Sequence, residues 1–213
     1  MGSGSPFEDL PNAHDVTRET LQVATSDGVS ITVDIDTPPS PRGLANLLHP
    51  HPLYGGRRDH PLLLRLSEAL HQKQIVTARN DFRHASGNTF DEMPDAIASC
   101  EELRRRHPDL PLVLAGYSFG SIVAARVAAQ VGAQHLVMIA PPLSTLSLEA
   151  VDVPTTLILA EHDQFSPPTS IADHPIVLGA EVHVLSGADH FLNGFLEMAA
   201  THAVKAITSA LDG

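Results

Sequence analysis

The sequence predicts an α/β domain with a mostly parallel, twisted sheet of about eight strands, the first two antiparallel, and helices on both faces. Three observations lead there. Two alternating apolar strings open the chain around a hairpin signal; six short, almost wholly apolar strings then alternate with longer helical ones; and one serine stands between two glycines where such a string runs into an Ala-rich helix. Strands separated by helices must be joined by crossovers and so lie parallel, and strands covered on both faces have no polar side to show.

The hairpin is "ETLQVAT" (19–25) and "VSITVDID" (29–36), joined through Ser26-Asp27-Gly28, whose Asp-Gly step favours a tight turn. A Pro-rich link, "TPPSPRG", leads to "GLANLLH" (43–49). A helix is predicted from His60 to Lys73, with Leu62, Leu66 and Leu70 along one side and Arg65, Glu68 and Lys73 left for water. "IVTAR" (75–79) and a helix from Asp91 to His107 follow, the run Arg104 to Arg106 suiting the negative end of that helix's dipole. The remainder reads "PLVLAGY" (111–117), helix Phe119 to Val131, "HLVMIA" (135–140), "TTLILA" (155–160), "EVHVLS" (181–186) and helix Asn193 to Leu211. No internal repeat interrupts this order.

The 213 residues suit one domain, expected over 19–213, with residues 1–18 as an extension whose Gly-Ser opening resembles a cloning remnant. Apolar residues at 43% and charged residues at 18% provide for a packed core. A net charge of −12 has the wrong sign for nucleic acid or an anionic membrane surface. Cys100, the single cysteine, rules out an intrachain disulfide and a cysteine-rich zinc site. With no basic-then-apolar leader and no apolar run long enough to span a bilayer, a cytoplasmic protein is expected.

Gly116-Tyr117-Ser118-Phe119-Gly120 fits G-x-S-x-G, a sharp strand-to-helix turn that exposes a serine hydroxyl at the carboxyl edge of a sheet. Serine is a weak nucleophile at neutral pH and needs a base, itself oriented by a carboxylate. Asp163 in "EHDQFSPP" and His190 in "GADHFLNG" each follow a different strand string and should reach the same edge; Glu161 and Asp189 are the competing carboxylates. A tetrahedral intermediate also needs backbone donors for its oxyanion. Phe119, next after the serine, offers one. For the second, the loop "HPHPLYGG" contains Pro50 and Pro52, which have no N–H, leaving His51, Leu53 and Tyr54, with Leu53 preferred.

Taken together, "HPHPLYGG", an "FR" pair after the next strand, "GYSFGS" and "GADHF" resemble the α/β-hydrolase superfamily, in particular a small esterase-like branch, from about Leu21 onward. The resemblance implies Ser118 as nucleophile, Asp163 as orienting acid, His190 as base, and Leu53 with Phe119 as oxyanion donors. One departure is the segment after Phe82-Arg83, where the branch's Gly-rich loop is replaced by His84-Ala85-Ser86-Gly87, shortening the rim from Arg83 to Phe90. Many members carry a helical lid between the strands that here end at Ala140 and begin at Thr155. Leu143 to Pro154 is too short for a cap domain, so an open, shallow cleft is expected, with His51, Tyr54, Leu143, Phe165 and Phe191 as candidate lining.

The expected reaction is hydrolysis of a small-molecule carboxylic ester through an acyl-enzyme, without a cofactor. Thioester or amide cleavage and acyl transfer use the same parts, and a homodimer is left open. The sequence admits two rival readings. A metal site of His49, His51, Asp59 and His60 is spaced too loosely for the tight H-x-H-x-D-H pattern of metallohydrolases; a non-catalytic binding protein would be expected to lack a member of the triad.

Overall fold

The computed structural model describes residues 16–83 and 88–212. Eight strands form one sheet in the order β1-β2-β4-β3-β5-β6-β7-β8. β1 (Thr17–Ala24) and β2 (Ser30–Thr37) pair antiparallel around a turn in which Gly28 has φ 84°, and β2 is antiparallel to β4 (Ile75–Asn80). All remaining pairings, through β3 (Gly43–Leu48), β5 (Leu112–Tyr117), β6 (His135–Ile139), β7 (Thr155–His162) and β8 (Glu181–Asp189), are parallel.

Alternation along each central strand feeds two cores, which is why those strings read as continuously apolar. Leu44 and Leu48 of β3 and Leu112 and Leu114 of β5 face the core beneath α2 (Met93–Arg106) and α3 (Phe119–Val127). Ala45, Leu47, Val113 and Ala115 face the other, beneath α1 (Pro61–His71) and α5 (Leu196–Leu211). The predicted row Leu62, Leu66 and Leu70 is fully buried there.

Departures from the predicted elements have local causes. α3 stops at Val127, short of Val131, in a turn that closes at Gly132 with φ 61°. α5 begins at Leu196, because the positive φ of Leu192 (54°) and Gly194 (78°) breaks any helix started at Asn193. β7 and β8 extend to His162 and Asp189, which pair across a register shift; their polar ends read as loop. A short α4 (Pro175–Leu178) and 3-10 turns at Pro52–Tyr54 and Pro168–Ser170 were not anticipated.

Residues 140–154 contain neither helix nor strand, and among the described residues no separate cap domain stands over the sheet. β1 starts at Thr17, inside the predicted extension; residues 1–15, and His84-Ala85-Ser86-Gly87 of the shortened rim, lie outside the described residues. Among the described residues no helix is long and apolar enough to cross a membrane.

Candidate active site

Ser118 occupies the junction of β5 and α3 with φ 51° and ψ −119°. A side-chain-bearing residue held there costs about 1–3 kcal/mol, so its surroundings must impose the conformation. Its N–H donates to the Ile139 carbonyl of β6 (2.8 Å), while its carbonyl accepts from both the N–H (2.9 Å) and the hydroxyl (2.5 Å) of Ser121. The glycines on either side allow the first turn of α3 to press against two strands. A Cβ on Gly116 would lie 2.4 Å from the carbonyl of Gly120, and one on Gly120 would lie 2.4 Å from the carbonyl oxygen of His49.

Asp163 and His190 directly follow β7 and β8 and reach the same edge. His190 Nε2 is 2.8 Å from Ser118 Oγ, and His190 Nδ1 is 2.8 Å from Asp163 Oδ2. The other carboxylate oxygen of Asp163 accepts from the N–H groups of Phe165 (2.8 Å) and Ser166 (2.9 Å). Asp163 and His190 are both buried. His190 is tethered at its main chain too: its N–H donates to Gln164 Oε1 (3.1 Å) and its carbonyl accepts from the Tyr117 hydroxyl (2.8 Å). The competing carboxylates are engaged elsewhere, Glu161 by Ser186 and Gly187 of β8, Asp189 by Asn193.

Phe119 supplies the first N–H of α3, which no intrahelical carbonyl can reach. The "HPHPLYGG" loop folds differently from the expectation that favoured Leu53. The Leu53 N–H donates to Nδ1 of His51 (3.1 Å) and the Tyr54 N–H to the His51 carbonyl (2.9 Å), so both are occupied. The N–H of His51 itself has no partner among the described residues. The carbonyl of Pro50, in the same trans peptide, accepts from His49 Nδ1 (2.6 Å), which turns the His51 N–H the opposite way.

A cavity of about 420 Å³ opens over Ser118. Of the expected lining, His51, Tyr54, Phe165 and Phe191 are present. Leu143 is not: it is buried in the core beneath α2 and α3, and Pro142, Thr145 and Leu146 form that wall instead. Periodicity cannot say which residue of an irregular segment turns inward. Pro50, His60 and Tyr117 also line the cavity and were missed; for His60, the available signal was the His-Pro step at a helix start.

The histidines of the metal-site rival have other partners. His49 donates from Nδ1 to Pro50 and accepts the Phe82 N–H on Nε2 (3.1 Å), while His51 and His60 accept backbone N–H groups at helix starts. Among the described residues no three His, Cys, Asp or Glu side chains are grouped to hold a metal ion. Burial pushes His49 down from 6.5 to about 4. An unfolded chain therefore takes up a proton below pH 6.5 that the folded chain refuses until about pH 4. Stability should fall through that window by on the order of 3 kcal/mol from this group. Urea denaturation at pH 7 and pH 4.5 should show the loss, and a His49→Asn variant should show less of it.

Residues 45–211 match the family model of an alpha/beta hydrolase domain. The chain belongs to that family. An alpha-beta serine hydrolase homologue from Coxiella burnetii superposes with a TM-score of 0.77 at 26% identity, covering 88% of this chain and 96% of the other. A serine hydrolase without lid from Xanthomonas campestris gives 0.77 at 25%, covering 88% and 94%. An uncharacterized protein of Rickettsia prowazekii is 24% identical over 169 residues, 70% of this chain and 71% of its own. An esterase from Pyrococcus furiosus, 15% identical, shares the fold with a TM-score of 0.76 over 94% and 95% of the two chains. Family and neighbours support a hydrolase, and in this hydrolase domain the three hydrogen-bonded side chains lie at the carboxyl edge of the sheet, where open α/β sheets bind ligands.

Proposed function

We propose that the protein is a serine hydrolase cleaving small-molecule carboxylic esters through an acyl-enzyme. The observation that carries this reading is the continuous chain from Ser118 Oγ through His190 to Asp163, with 2.8 Å at each link, at the floor of an open cavity. His190 Nε2 takes the serine proton as Oγ attacks the acyl carbon, then delivers it to the departing alkoxide; a water activated in the same way releases the acid. Asp163, fixed by two backbone donors, holds the Nδ1–H tautomer and faces the charge that develops on the imidazole. The oxyanion is received by the N–H groups of Phe119 and His51, the latter in place of Leu53, whose N–H is occupied. The apolar wall formed by Pro142, Leu146, Phe165 and Phe191 suits the hydrocarbon part of a substrate.

A fluorophosphonate probe should label wild-type protein stoichiometrically, on the tryptic peptide containing Ser118, and should leave folded Ser118→Ala unlabelled. A folded wild type that resists the probe and turns over no p-nitrophenyl ester would favour the binding-protein alternative. Tyr117→Phe removes the donor to the buried His190 carbonyl, and kcat on a p-nitrophenyl ester should drop about tenfold with little change in KM. Steady-state kinetics checks this directly.

A further inference from the structure

His51 and His60 are each followed by proline and each caps a helix start with its ring. Nδ1 of His51 accepts the Leu53 N–H (3.1 Å), and Nδ1 of His60 accepts the Leu62 N–H (3.2 Å). A ring nitrogen that accepts an N–H carries no proton, so in the neutral imidazole the proton sits on Nε2. Neither Nε2 has a partner among the described residues, and both residues line the cavity. Burial lowers the proton affinity of both, opposed at His51 by Glu92 and at His60 by Asp59, which favours the neutral form.

The two rings pack against different sequence neighbours of the serine. His51 packs edge-on against Phe119 with ring centroids 4.8 Å apart, and His60 lies 5.4 Å from Tyr117. Phe119 belongs to the core beneath α2 and α3, Tyr117 to the core beneath α1 and α5. Tyr117 is also flanked by His190, at 6.3 Å, so His60 shares a side with the group that protonates the departing alcohol. On the ester reading, this leaves the side of His51 to the acyl portion.

We propose that His51 and His60 form a two-point recognition site for neutral oxygen acceptors, His60 Nε2–H binding an ether, hydroxyl or carbonyl oxygen in the alcohol portion of the substrate and His51 Nε2–H one in the acyl portion. The substrate class is thus an oxygenated ester, and this rests on the ester-hydrolase reading above. Uncharged donors in a chain of net charge −12 offer a carboxylate or phosphate no coulombic gain, so the oxygen they suit is a neutral one.

The test uses three esters matched in length: butyl pentanoate, 2-methoxyethyl pentanoate and butyl 3-methoxypropanoate, with kcat/KM for each divided by its rate of hydroxide hydrolysis. Wild type should favour each oxygenated ester over butyl pentanoate by about tenfold, the value of one well-placed hydrogen bond. In His60→Asn the alcohol-side preference should vanish and the acyl-side preference stay; in His51→Asn the reverse. Asparagine can still cap the helix start through Oδ1, but its shorter side chain withdraws the distal donor. Turnover of all three esters with no such preference, or with preferences that survive both substitutions, overturns this inference and leaves the esterase reading intact. No turnover by wild type, together with an unlabelled Ser118, removes the esterase reading and the inference with it. Independently of any variant, two-bond 15N–1H correlation spectra at pH 7.5 should show both rings as neutral Nε2–H tautomers. An Nδ1–H or doubly protonated ring would also overturn it.

Discussion

Ser118→Ala is expected to cut hydrolysis of a p-nitrophenyl ester by about ten-thousandfold to a millionfold in kcat while the protein melts close to the wild-type temperature. On the proposed mechanism the size of the loss follows from the loss of the covalent route: without Oγ, His190 and Asp163 would have no nucleophile to activate, and only the Phe119 and His51 N–H groups and the apolar wall would still favour the transition state. Residues that act as one unit do not lose activity additively, so Ser118→Ala combined with His190→Ala should be scarcely slower than either alone. Stopped assays with hours of incubation, corrected for background hydrolysis, would resolve the residual rate. A single substitution leaving turnover within tenfold of wild type would show that the hydroxyl of Ser118 is not the nucleophile.

Gly120→Ala should damage the fold itself. Its Cβ would lie 2.4 Å from the carbonyl oxygen of His49, 2.5 Å from that of Leu48 and 2.7 Å from the Leu48 carbonyl carbon, all backbone atoms at the end of β3 with no rotamer to give way. Relief requires α3 to lift from the sheet, at a cost of about 3 kcal/mol or more. For a domain of this size that lowers the melting temperature by roughly 10 °C. Gly116→Ala should behave alike, because its Cβ would meet the Gly120 carbonyl and the Ser121 Cα within 2.5 Å. Gly179→Ala is the control: its φ is −98° and its Cβ would find only the Pro175 carbonyl oxygen at 3.6 Å, so a shift of no more than about 1 kcal/mol is expected. Differential scanning calorimetry of the three variants distinguishes a packing clash from a general intolerance of alanine for glycine.

These glycines also show what could be read from the chain. Strand-to-helix turns with close backbone contact demand glycine, and a residue that directly follows a parallel strand must emerge at that strand's carboxyl edge, so the meeting of Ser118, Asp163 and His190 at one edge could be read from their positions. The mostly parallel character of the sheet was legible too, since strands joined by helical crossovers must lie parallel, whereas the placing of β3 between β4 and β5 came only from the structure. Which N–H of "HPHPLYGG" is left without an internal partner was not legible. Eliminating the prolines left three N–H groups, and what separates them is a side-chain event, the turning of the His51 ring onto the Leu53 N–H, together with the pull of His49 on the Pro50 carbonyl. Leu143 was misplaced because the segment between β6 and β7 has no period to extrapolate. His60 was read as a helix start but not as cavity lining, because histidine is an uncommon helix cap; three His-Pro steps, at His51, His60 and His174, cap helix starts in this chain, which also accounts for part of its thirteen histidines.

Adjacent residues of one strand end grip both ends of His190: Ser118 faces its ring and Tyr117 holds its carbonyl. The proposed base and nucleophile are consequently registered to a common ruler, and thermal drift of the loop after β8 strains the Tyr117 hydrogen bond as it draws them apart. Heat should therefore leave the reaction geometry whole until the sheet gives way, making inactivation and melting one cooperative event.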